Sequence, residues 1–219
     1  MDQKWLESHK RFRIIEKLVS LQPQTFLIAR ELAETSLSPP NILLDRKVSL
    51  IPYHLIVIRQ WLNELIASKG GADLSIFEKM LIESVLLILS QRLLIEKGCR
   101  SILQAYIGAM IQQRLTLILT CVEPEQRPEI WNLSKVQGLP YRALRENLTG
   151  ASSAANLLNQ LAGREKAQIY LPNEEEDVRS GIDLFWMESG LQIAVSIKSV
   201  QGNEIQAWGK TDFPIQLKT

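Results

Sequence analysis

The stretch Ser180–Val200, SGIDLFWMESGLQIAVSIKSV, decides how the C-terminal part of this chain is read. Two apolar segments flank the pair Ser189-Gly190. The first, Ile182 to Met187, holds one acid, Asp183. The second, Leu191 to Val200, ends in Ser-Ile-Lys-Ser. Both are rich in Ile, Val, Phe and Trp between turn residues, which is the signature of strands joined in a hairpin. Side chains alternate between the faces of a strand. Gln192, Ala194, Ser196 and Lys198 therefore share one face of the second strand, while Ile193, Val195 and Ile197 form a core stripe on the other. In the first strand, Asp183 lies with Phe185 and Met187, opposite Ile182, Leu184 and Trp186. A two-residue loop pairs Glu188 with Leu191 and brings Asp183 across from Ser196, one diagonal step from Lys198. A three-residue loop turns Asp183 away from Lys198 unless a bulge intervenes. The glycine favours a tight turn without fixing its length.

Outward from the hairpin, the chain before about residue 165 reads as successive helices. Apolar residues recur at helical spacing from Trp5 to Val19, with Lys10, Arg11, Arg13 and Lys17 on the polar surface. Those four are the candidate phosphate-contacting residues, since such contacts position a protein on nucleic acid. Further helices are expected over Phe26–Thr35, Pro52–Ser68, Asp73 or Ser75 to Lys97, Cys99–Cys121, Pro140–Leu148 and Ser152–Leu161. Pro39-Pro40, the glycines of KGGAD, Gly98, Pro124 and Pro128 supply the breaks. Asn41–Val48 offers a second helix for a loose helix-turn-helix, though it has few polar residues to read base edges. After Gly163 the pattern becomes strand-like: Ala167–Leu171, the two hairpin segments, and a last short strand in FPIQL. PNEEED, Pro172–Asp177, reads as a polar loop. Sequential strands this close form an antiparallel meander. The fold expected is α+β: a helical domain over 1–137, then a small module over 138–219.

The totals narrow the function classes. With 219 residues, 46% hydrophobic and 22% charged, the chain has material for a core and is not a disordered tail. A net charge of +1 implies no bulk attraction to nucleic acid or acidic membrane. Two cysteines, Cys99 and Cys121, and two histidines without metal-ligand spacing exclude a zinc centre. The cysteines allow one disulfide or two reduced thiols, and an intracellular setting favours the thiols. The N-terminus has no secretory h-region. The most apolar stretches are interrupted by Glu83, Arg92 and Arg114, so no membrane span of about 20 apolar residues is expected. A cytoplasmic location follows. No glycine-rich phosphate loop or nucleophile elbow is present.

DVRSGIDLFW followed by LQIAVSIKS resembles the core of the PD-(D/E)XK nuclease-like superfamily. The resemblance covers about the last 80 residues, and the AV-x-IKS spelling is also similar to that of nuclease-fold proteins controlling excision of mobile elements. It implies a restriction-endonuclease-like module in which Asp183 binds magnesium and Lys198 orients the attacking water. Ser196 stands where a second acid or a glutamine is expected. The helix ending near Leu161 would open the core, with Glu146 or Glu165 as its additional glutamate. Magnesium is usually held by one or two carboxylates with waters, and a neutral serine hydroxyl does not replace a lost charge. Asp177 or Glu165 would have to supply the missing acid. What the resemblance implies is a DNA-binding or regulatory protein with an inactive nuclease-like module and at most weak magnesium binding. The alternatives are an active magnesium-dependent DNA endonuclease, and a helical adaptor for protein partners or a homodimer.

Overall fold

The computed structural model of the chain describes residues 11–12, 18–35, 37–44, 51–98, 102–162, 168–199, 204–208 and 214–218. Among these residues there are seven α-helices: α1 Pro23–Glu34, α2 Ile51–Ser68, α3 Ile76–Glu96, α4 Ile102–Cys121, α5 Arg127–Leu133, α6 Tyr141–Ala162 and α7 Glu174–Ser180. Six strands follow the order of the chain: β1 Arg11–Phe12, β2 Gln168–Tyr170, β3 Leu184–Glu188, β4 Leu191–Ser199, β5 Glu204–Trp208 and β6 Pro214–Lys218. They form one sheet, β1-β2-β3-β4-β5-β6, with every neighbouring pair antiparallel. The α+β class expected from the sequence is the one observed.

Helix α4 is the axis of the helical part. Apolar residues lie all round it, and Ile107, Met110, Ile111 and Ile118 are fully buried. A helix of that kind has to be surrounded by others, and α3 and α6 pack along it. Two of its buried polar residues find partners close by. Thr120 donates to the Thr116 carbonyl at 2.7 Å, and Arg114 bridges to Glu83 of α3 at 2.6 Å. Gly150 of α6 lies against Gln112 of α4, where an added Cβ would come within 2.9 Å of the Gln112 amide.

Glu78 ties α1 to α3. Ser75 caps α3 in a reciprocal capping box with Glu78. The carboxylate also reaches the start of α1, accepting from the Gln22 N–H at 2.9 Å and the Thr25 hydroxyl at 2.8 Å, while its other oxygen accepts from the Ser75 N–H at 2.8 Å. Burial works to raise its pKa. The hydrogen bonds from Gln22, Ser75 and Thr25 outweigh burial and hold it below the ordinary 4.5. A depressed pKa stabilises the fold above the ordinary value, and that stability is lost as pH falls through 4.5 and below. Glu78→Gln loses an acceptor and should cost about 1–3 kcal/mol at neutral pH. Denaturant melts should show the gap between the two proteins narrowing in acid.

Four expectations are corrected. The first concerns the N-terminal helix: Arg11–Phe12 is a strand, paired to Tyr170 and Ile169. Val19 is extended, donating to the Cys121 carbonyl at 2.8 Å. Arg-Phe-Arg-Ile alternates polar and apolar residues, so the same letters also satisfy a strand's period. Second, PNEEED is not a loop. Asn173 and Glu176 form a capping box that starts α7, and its acids sit in the first turn, where the helix dipole favours them. Third, the region between Pro124 and Pro128 contains a 3-10 turn and then α5. Pro128 lies in the first turn of α5, where a missing N–H costs nothing. Fourth, α6 runs unbroken through Gly150, because packing against α4 outweighs a propensity penalty of about 1 kcal/mol.

Of the loose helix-turn-helix, the first helix lies within α1, and the second segment is a 3-10 turn at Asn41–Leu44 among the described residues, with residues 45–50 outside them. Strand β5 was not expected at all. Helix α6 serves two cores. Leu144, Leu148, Ala151 and Ala155 pack in the main helical core. Leu157, Leu158 and Leu161 cover the sheet with Ile169, Leu184 and Val195. No helix among the described residues is long and apolar enough to cross a membrane.

Candidate functional site

The shorter of the two possible hairpin loops is the one formed. Ser189 and Gly190 have φ of 51° and 81°, the doubly left-handed pair of a tight hairpin turn. Glu188 pairs with Leu191 and Leu184 with Val195. Val195 is 4% exposed and Leu184 is buried, while Trp186, Ile193 and Ile197 pack at the margin of their cluster. The apolar stripe read from the sequence is thus the face turned to α6.

Asp183 lies one residue before β3, at the point where the ladder departs from regular pairing. Its N–H donates to the Val195 carbonyl at 2.8 Å, although Ser196 is the next residue in register. Its carboxylate Oδ2 accepts from the Ile197 N–H at 2.5 Å. A side-chain oxygen therefore does the work of a main-chain carbonyl and fastens the start of β3 to β4. Ser196 is half-buried, and its partner in β5 is Trp208. Lys198 is in β4 opposite Gln206, with its side chain outside the described set.

The other candidates are scattered. Glu165, Lys10, Arg13 and Lys17 lie outside the described residues. Arg11 is in β1 rather than on the basic face of a helix. Glu146 is exposed on α6 and paired with Arg142 at 2.8 Å. Asp177 is in α7, its carbonyl accepting from the Gly181 N–H at 2.8 Å. Glu174, at the start of the same helix, pairs with Arg59 of α2. Among the described residues no three His, Cys, Asp or Glu gather as a metal site. The described donors at the hairpin, a carboxylate already accepting a main-chain N–H and a serine, do not fit a magnesium centre.

Sequence reading passed over the polar groups that organise the fold. Gln126 is the clearest case. Its amide accepts from the Leu21 N–H and donates to the Leu21 carbonyl, both at 2.7 Å, as a neighbouring strand would. Nothing in the spacing of Leu21 and Gln126 announces that pairing. Cys121 is a free buried thiol pushed up to about 11 by burial, and so is a poor nucleophile. Cys99 lies outside the described residues.

Compared with known proteins, the chain matches no family model, no curated protein and no solved structure.

Proposed function

We propose that the chain is a nucleic-acid-binding or regulatory protein whose C-terminal part is a restriction-endonuclease-like module without catalytic capacity. The observation that carries this reading is the use of Asp183. Its carboxylate anchors the Ile197 N–H, and the next step in register holds Ser196 rather than an acid. DNA is the partner, magnesium is bound weakly or not at all, and the location is the cytoplasm. The free thiol of Cys121 accords with a reducing compartment.

Two measurements test the reading. The parent should bind duplex DNA with an affinity that falls steeply as salt rises, because phosphate contacts release counterions. It should not cut DNA with magnesium. Ser196→Glu adds a carboxylate beside Asp183 and should bind magnesium or manganese more tightly than the parent in calorimetric titrations. Cleavage by the parent that vanishes in Asp183→Ala would make the protein an endonuclease.

A second reading, a helical adaptor for protein partners, rests on Tyr53 and Ile56. They are 50% and 60% exposed on the outer face of α2. Absence of salt-sensitive DNA binding would put the adaptor first.

A further inference from the structure

We draw no further inference here: the strongest candidate, the exposed apolar patch of Tyr53 and Ile56 on the outer face of α2, carries none because nothing in the structure shows what covers it.

Discussion

Val195→Asp is expected to collapse the packing of the sheet on α6, while Ser196→Ala, one residue on, should be tolerated. Val195 is 4% exposed and pairs with Leu184, which is fully buried against Leu157, Leu158 and Leu161. An aspartate there has no hydrogen-bonding partner of its own. It must either stay charged in hydrocarbon or take up a proton at a cost. The expected loss is about 3 kcal/mol or more. Ser196 is half-buried, and its loss should cost under about 1 kcal/mol. Denaturant midpoints for the two variants decide the matter. Equal losses would mean that the two faces of β4 are assigned the wrong way round.

Gly138→Ala is the second large effect expected. Gly138 has φ of 94°, a conformation L side chains avoid, and an added Cβ would lie 2.5 Å from the Ala33 carbonyl oxygen. That oxygen belongs to the last turn of α1, which cannot give way as the end of a flexible side chain could. Backbone strain of about 1–3 kcal/mol adds to overpacking of about 1–3 kcal/mol. Gly98→Ala provides the control. Its φ is also left-handed, at 71°, but nothing lies within 4 Å of the added carbon. It should cost only the conformational part, about 1–2 kcal/mol. A thermal melt in which both alanines cost the same would show that contact with α1 contributes nothing.

Most long helices were legible because their ends carry local chemistry. Ser75 three residues before Glu78, and the glycines at 70 and 98, mark termini through bonds and dihedral angles that involve only near neighbours. The place of the hairpin was legible for the same reason, but the letters leave a two- or a three-residue turn open, and the structure selects the first. What escaped depends on distant partners. Arg11–Phe12 is extended because β2 offers it a ladder, and no local signal outweighed the helical reading of the same residues. The acids of PNEEED looked solvated until their position in the first turn of a helix gave them a role. At the candidate site the letters placed Asp183 beside Ser196. They did not show that the carboxylate would be taken up by the Ile197 N–H, because a main-chain donor has no letter of its own.

The pairing of the N-terminal segment also constrains the order of events during synthesis. Leu21 is held by Gln126, a partner 105 residues later in the chain, and Arg11 by Tyr170, later still. These contacts cannot form until the ribosome has delivered both ends. The hairpin β3–β4, by contrast, closes over two residues. Closing a long loop costs entropy before any contact repays it. Arg11 and Leu21 are made long before Tyr170 and Gln126, so these pairings are expected to form after the local contacts of the hairpin.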